Sequence, residues 1–587
     1  MIFLITLQSY NLQFMKRFLY ILIALAFIFS CEKQPANNNN NNNQGQEQQG
    51  QQGGQQGGQQ GGQQGGQEEP QVNQTWVSAG NFAYDMMDSY YLWKKEIKSD
   101  LTTWSQNVNV DPISTVAEIR YHTGSGDSRK DIDKWTQVTK DFKAFTADVS
   151  GVTTTYGYDF FYFEQDKEHP TRALATVRYV YHDSPAEEAG LKRGDVIVKA
   201  NNRELGINTD GYLDTSVIYD EMIYSSSCTL ELSTGEKVTM NAREMIENPV
   251  LLYTVLDDGA GKRVGYLHYT SFTIESCPYL IEACKYFKAE GIKDLILDLR
   301  YNGGGYVFAE EVLISMLAPQ AAVAGKELFA KEIYNSELTL EWGGSGESYF
   351  STHFEIDEND DDIPDRIYDT ADANIGLERI FAIVTDDSAS ASEAILCCLK
   401  PFYGDNLKLI GGQTYGKYTA GYIIGSDKYF QNIKDLYNDP DVQAYYKLTA
   451  DDIKEANEYA DNGLKYASNW GIYVMYARYA DRDGKTLSMP DGMSVDKKAI
   501  DKPQDGHQLG DPHETMLTIA LKQAGFKVTV AQSAPQQQAP ERSTVTKEIK
   551  FRRPEKPGMV KFPTSLQGPI RDHRLPQTSN GLYTPAE

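Results

Sequence analysis

The stretch Gly291-Ile292-Lys293-Asp294-Leu295-Ile296-Leu297-Asp298-Leu299-Arg300-Tyr301-Asn302-Gly303-Gly304-Gly305 decides the fold class. From Ile292 to Leu299 it is almost continuously apolar, as a strand covered on both faces must be, and such strands belong to α/β layers. It runs into three glycines, after which Phe308 to Leu317 reads as a helix. Arg379 to Val384 repeats the pattern: a second buried strand leads into Ser388-Ala389-Ser390-Ala391-Ser392-Glu393 and a helix through Leu399. A third strand, Leu407 to Ile410, passes through Gly411-Gly412-Gln413-Thr414-Tyr415-Gly416 to Lys417. In open α/β sheets, sites form at the carboxyl ends of strands, which is where the unusual residues of these segments fall.

Upstream of this core, residues 151–245 alternate short strands with turns. Within them, Ser184-Pro185-Ala186-Glu187-Glu188-Ala189-Gly190-Leu191-Lys192-Arg193-Gly194-Asp195-Val196-Ile197 resembles a signature of PDZ domains in bacterial proteases. The local physics agrees: a short helix stops at Gly190, and Gly194-Asp195 turns into a buried strand. PDZ domains take up the C-termini of polypeptides by adding a strand to a sheet edge, with backbone N–H groups holding the carboxylate. The resemblance implies that loop at Tyr156-Gly157-Tyr158, although Asp159 is an awkward neighbour for an incoming carboxylate. A PDZ-like domain that only regulates is the blander reading.

Residues 76–150 are helical and aromatic in pattern, which predicts a small N-terminal helical cap. Before them, residues 32–75 hold an asparagine run and Gln-Gln-Gly-Gly repeats that cannot bury apolar surface and are expected to be a disordered tether. The first 31 residues read as a processing signal. Met15-Lys16-Arg17 is a basic start, and Phe18 to Phe29 is an apolar run shorter than the roughly 20 residues a spanning helix needs. Ending at Ser30-Cys31, it resembles a bacterial lipoprotein leader, with Cys31 as the lipidated residue, although Phe29 is bulky for that motif. This implies a protein tethered by lipid to the cell envelope, at the outer membrane and facing periplasm or surface. Residues 528–587, rich in Gln and Pro, read as a flexible tail with no site.

The protein has 587 residues with 82 acidic and 56 basic side chains, a net charge of -26. That balance argues against a nucleic-acid partner, since phosphate neutralisation needs a basic surface. With only one long apolar run, at the N-terminus, the sequence also argues against a multispan helical membrane protein. Beyond Cys31 there are five cysteines, Cys228, Cys277, Cys284, Cys397 and Cys398. An odd number without a C-x-x-C argues against a disulfide scaffold or zinc, and Cys397-Cys398 read as small buried hydrophobes.

A serine at a strand-to-helix turn places an oxyanion near helix N-terminal amides, which suits acyl transfer. Alone, Ser390 or Ser392 is more often an N-cap. The nearest of the eight histidines in sequence is His353, so a base has to come from elsewhere. Lys417 qualifies only if burial lowers its pKa by several units from about 10.4.

Taken together and in this order, Asp298 to Gly305, Ser388 to Glu393 and Gly416-Lys417 resemble the C-terminal processing (tail-specific) peptidase family, over roughly Trp76 to Lys527 and including Leu509-Gly510-Asp511-Pro512. The resemblance implies a multidomain α/β protein: a crotonase-like core over residues 246–527, a PDZ-like β domain and the helical cap. It further implies a serine-type endopeptidase without cofactor, acting on extended or C-terminally exposed polypeptides. By position, Ser390 is then the nucleophile, Lys417 the general base, and the amides of Ala391 and of Gly303 or Gly304 the oxyanion hole.

Three departures accompany the resemblance. Relatives carry a glutamine four residues after the lysine to orient it, and here that position is Gly421; Gln413, Thr414 and Thr419 are the candidates to replace it. The segment from Gly304 to Ser390 is long, with an insertion near 330–370, and a second insertion at 426–464 reads as polar helix; both are placed to cover the site or bind a partner. In the first, Asp357, Asn359, Asp361 and Asp365 have the spacing of a weak Ca²⁺ loop, but Asp362 stands where such loops prefer glycine, and a solvated acidic turn is favoured. The competing functional class is a catalytically inactive peptide-binding lipoprotein on the same scaffold, made plausible by Gly421.

Overall fold

The computed structural model describes residues 72–150, 152–207, 213–357, 363–487, 489–528 and 559–561. The leader with Cys31, residues 32–71 of the tether and most of the tail lie outside the described residues. Among the described residues, 74–355 and 367–561 belong to one compact unit, and 72–73 with 356–357 and 363–366 to another.

The larger unit is centred on a six-stranded sheet in the order Val250–Asp257, Arg263–Tyr269, Asp294–Asp298, Arg379–Val384, Leu407–Gly411 and Lys497–Lys498. The first pair is antiparallel and every later pair parallel. All five residues of Asp294–Asp298 are buried, which is why that stretch shows no apolar alternation. Helix Thr515–Ala524 covers one face, where Met516, Leu517, Ala520 and Leu521 pack with Ile296, Phe381, Ile383 and Ile410. Helices Val307–Leu317 and Ala391–Tyr403 each follow a parallel strand, so both begin at the carboxyl end of the sheet.

A second sheet runs Gly346–Tyr349, Leu328–Tyr334, Gly471–Asp481, Thr419–Gly425 and Met559–Lys561, with Gln137–Thr139 also paired to Gly471–Asp481. Ten of the eleven positions of Gly471–Asp481 are buried. Two expectations change here. Besides helices Gln74–Tyr90, Lys98–Ser105, Pro112–Ile119 and Phe142–Ser150, the N-terminal segment supplies a strand of the core through Gln137–Thr139, a piece too short for periodicity to reveal. The tail, read as featureless, holds a strand paired in parallel with Ala420–Tyr422.

The insertion at 426–464 forms helices Ser426–Asn438, Pro440–Tyr446 and Ala450–Tyr466. Asp85 of the first helix accepts hydrogen bonds from the hydroxyls of Tyr429 and Tyr459, and Phe82 packs on Tyr429 at 5.4 Å. This insertion therefore clasps the N-terminal helix, because its buried aromatic face needs an apolar partner.

The region read as PDZ-like is a six-stranded antiparallel sheet in the order Lys237–Asn241, Ser227–Leu232, Val196–Ala200, Arg203–Gly206, Arg172–Thr176 and Tyr162–Gln165. Its short helix Pro185–Glu188 is capped by Ser184, whose Oγ accepts the Glu187 amide at 3.1 Å. Val152–Thr155 pairs with Arg243–Ile246 at the two ends of the domain. All five described cysteines are buried thiols outside any disulfide, as expected of small hydrophobes. Among the described residues, no helix is long and apolar enough to cross a membrane.

Candidate active site

Two loops leave the carboxyl ends of the adjacent strands Asp294–Asp298 and Arg379–Val384, and side chains fasten them together. Ser388 Oγ donates to the Leu299 carbonyl at 2.8 Å and Ser392 Oγ to the Asn302 carbonyl at 2.9 Å, while the Ala389 amide donates to Asn302 O at 3.1 Å. The outer serines of the Ser-Ala-Ser-Ala-Ser run are thus structural. The middle one, Ser390, is the residue of unusual backbone, with φ 60° and ψ −113°, just before helix Ala391–Tyr403. A non-glycine residue held there costs on the order of 1–3 kcal/mol, and such sharp strand-to-helix turns present nucleophiles.

The glycine loop lies against it. A Cβ on Gly304, whose φ is 105°, would stand 2.8 Å from Ser390 Cβ, 3.0 Å from the Ala389 carbonyl oxygen and 3.1 Å from Ala391 N. Only glycine permits this approach. The Gly304 amide, however, donates to Asn302 Oδ1 at 2.9 Å, so in this conformation it is committed to its own loop. Gly303 is exposed beside it, and Ala391 opens the helix, where the first amides have no intrahelical acceptor.

Glu393 ties the serine and lysine segments together, a role the sequence reading did not assign. Its Oε2 accepts the Ser390 amide at 3.0 Å and the Lys417 amide at 2.9 Å; its Oε1 accepts the Gly416 amide at 2.9 Å and the Thr414 hydroxyl. Burial raises its pKa above the usual glutamate value, while the Thr414 hydroxyl and the three amides pull the other way. The signal was present in sequence as the Ser390-x-x-Glu393 spacing of a capping box, but the long-range half of its bonding was not.

Lys417 is 2% exposed, at the start of the second sheet. Its ammonium nitrogen lies 5.1 Å from the Trp135 ring centroid and 5.0 Å from that of Tyr473, and it donates to Tyr473 Oη at 3.4 Å. Both aromatics lie far from Lys417 in sequence, which is why neither was foreseen. The three suggested substitutes for the missing glutamine are used elsewhere: Gln413 donates to the Asp491 carbonyl, Thr414 to Glu393, and Thr419 to Met475 Sδ at 3.1 Å.

In the PDZ-like region, Tyr156 is 1% exposed and donates to the Ser225 carbonyl, the Gly157 amide donates to Thr155 Oγ1 at 3.0 Å, and Tyr158 pairs with Val180. Asp159, the awkward acid, is neutralised: Arg178 grips it through Nε and, at 2.9 Å, through Nη2. Arg178 Nη1 also donates to Asp387, three residues before Ser390. Of the weak calcium candidates, Asn359 and Asp361 lie outside the described residues, while the Asp365 amide donates to the Ile356 carbonyl at 2.8 Å, beside Asp357. No cluster able to hold a metal occurs among the described residues.

The serine and lysine segments thus share one buried carboxylate, with a glycine loop against the serine and a PDZ-like sheet joined to it through Arg178, on an α/β scaffold. Residues 263–428 match the model of Peptidase family S41, and residues 176–214 that of the PDZ domain. Over these segments the chain is similar to S41 peptidases and to PDZ domains, and its curated relatives are C-terminal processing proteases. It is 26% identical over 242 residues to a carboxyl-terminal-processing protease of Synechocystis, covering 40% of this chain and 47% of the relative. To the chloroplastic C-terminal processing peptidase of Tetradesmus obliquus it is 30% identical over 133 residues, 21% of this chain and 28% of the relative. The chain thus spans less than half the length of these curated relatives. A solved structure from Bacteroides fragilis NCTC 9343, described as an S41 protease, is 18% identical, covers 79% of this chain and 100% of its own, and superposes with a TM-score of 0.50; this is a likeness of fold.

Proposed function

We propose that this protein is a serine-type endopeptidase that cleaves extended or C-terminally exposed polypeptides with a Ser390–Lys417 dyad on a crotonase-like core capped by the N-terminal helices. The observation that carries the reading is the shared carboxylate of Glu393, which accepts the amides of both Ser390 and Lys417 while Ser390 holds φ 60° against Gly304.

In this mechanism Lys417 takes the proton of Ser390 Oγ as it attacks the peptide carbonyl, then delivers it to the leaving amine. The resting lysine has to be neutral, and burial works in that direction by disfavouring a charge. The oxyanion meets the amides of Ala391 and Gly303, since that of Gly304 is engaged by Asn302. Losing one such donor costs about 2.7–4 kcal/mol of transition-state stabilisation. A water then hydrolyses the acyl-enzyme, with Lys417 again as base. The PDZ-like domain binds or senses the substrate tail, and the leader ending at Cys31 would anchor the enzyme by lipid in the cell envelope.

Hydrolysis of casein by the purified protein lacking its leader tests this. The expected result is turnover that Ser390→Ala abolishes. Peptide binding without any Ser390-dependent turnover would instead identify an inactive binding lipoprotein.

A further inference from the structure

We propose that Tyr473 is the positioning residue of Lys417, and that Gly421 is glycine because the Tyr473 ring occupies the space its side chain would take. The inference rests on the dyad reading and adds to it the group that aims the base.

Gly421 and Tyr473 lie on the paired strands Thr419–Gly425 and Gly471–Asp481, with Gly421 opposite Met475 and Ile423 opposite Tyr473. A register irregularity falls between Ala420 and Gly421. A Cβ there would stand 2.4 Å from Tyr473 Cε2, 2.7 Å from its Cζ and 2.5 Å from Met475 Cε. No side chain fits without displacing the carbon that bears the hydroxyl. The ring has little room to yield: Tyr473 is fully buried and packed on Phe145 at 6.5 Å. A glutamine at 421 and a tyrosine at 473 are therefore mutually exclusive, and this protein has the second.

The hydroxyl does what an orienting amide would. One N–H of Lys417 committed to Tyr473 Oη restricts rotation about Cε–Nζ and so fixes where the remaining nitrogen valence points. Trp135, 2% exposed and with its ring 5.1 Å from Nζ, closes another side of the lysine, and its own position is supported by Tyr415 at 6.2 Å. The ring faces of Trp135 and Tyr473 favour the ammonium that forms during turnover. The lysine is thus held by aromatic groups, one from the N-terminal segment and one from the second sheet.

Tyr473→Phe removes the hydroxyl and keeps the ring. With casein as substrate across a pH series, kcat should fall about tenfold, KM should stay within twofold, and the ascending limb of the kcat profile should move to lower pH because the ammonium loses an acceptor. Wild-type kcat and an unmoved profile in Tyr473→Phe, with Ser390→Ala inactive, would overturn the positioning role while leaving the dyad standing. A fall in kcat with the profile unmoved would also overturn it, by marking the hydroxyl as merely structural. Turnover that survives Ser390→Ala would remove the dyad and this inference together.

Discussion

At Gly304 a single missing methyl separates two chemistries. The loop it belongs to must come within van der Waals contact of Ser390, and its φ of 105° is one that side-chain-bearing residues rarely adopt. Gly304→Ala is therefore expected to lower kcat/KM on casein by at least roughly a hundredfold while the melting temperature falls only slightly, since the loop can back away from Ser390 without unfolding the sheet. Retention of more than a third of wild-type kcat/KM would show that the glycine loop is not part of the machinery. The same loop shows what sequence could and could not reveal. Legible from three motifs in order was that the loop of Gly304, the turn of Ser390 and the segment of Lys417 meet: Gly304 lies against Ser390, and Glu393 accepts the amides of Ser390 and Lys417. Which glycine amide stays available was not, because it depends on the Asn302 side chain turning back onto Gly304. Nor was Tyr473, whose distance from Lys417 is set by the pairing of two strands separated by a three-helix insertion.

The elements divide along a similar line. Strands buried on both faces announce themselves as apolar runs: Arg379–Val384 is legible with these bounds, and Asp294–Asp298 within one residue or two of its ends. Pairing between distant pieces is not legible in this way. Gln137–Thr139 and Met559–Lys561 are three residues each, and neither carries enough periodicity to be told from loop. The contact between the PDZ-like sheet and the core is equally invisible in sequence. Arg178 lies over the Tyr301 ring at 4.3 Å and bridges Asp159 to Asp387, so one guanidinium joins the segment read as a tail-binding loop to the segment that carries Ser390. Arg193 continues the connection, donating to Tyr301 Oη at 2.7 Å and to Asp501 at 2.9 Å. Pairs buried this deeply are worth most in what their disruption costs, because removing one partner strands the others.

Over the whole molecule, the net charge of -26 hides a buried network rich in arginine. Arg300, fully buried, donates to Asp298, Asp501 and Glu514. Against the upward push of burial, the Arg300 and Arg193 cations hold Asp501 down to about 2. Beside this network, His268 is fully buried with neither ring nitrogen hydrogen-bonded, and burial, opposed by the Asp298 charge, pushes its pKa down to about 4. Between about pH 4 and the unfolded value near 6.5 the unfolded chain binds a proton that the folded chain refuses. The contribution of His268 is therefore complete above about pH 6.5 and is lost as pH falls toward 4, amounting to roughly 3 kcal/mol. Urea titrations at pH 7 and pH 4.5 should show this loss in the wild type and a much smaller one in His268→Phe; equal losses in both would place the acid sensitivity elsewhere.

Activation of Ser390 by Lys417 is the central step of the proposed mechanism, and covalent labelling reads it directly. A fluorophosphonate incubated with the purified protein at neutral pH, followed by mass spectrometry of the digest, should place one adduct on Ser390 in the wild type and none in Lys417→Ala. An adduct on Ser390 that forms equally fast without Lys417, or hydrolysis of casein by a protein whose Ser390 never reacts, would contradict it.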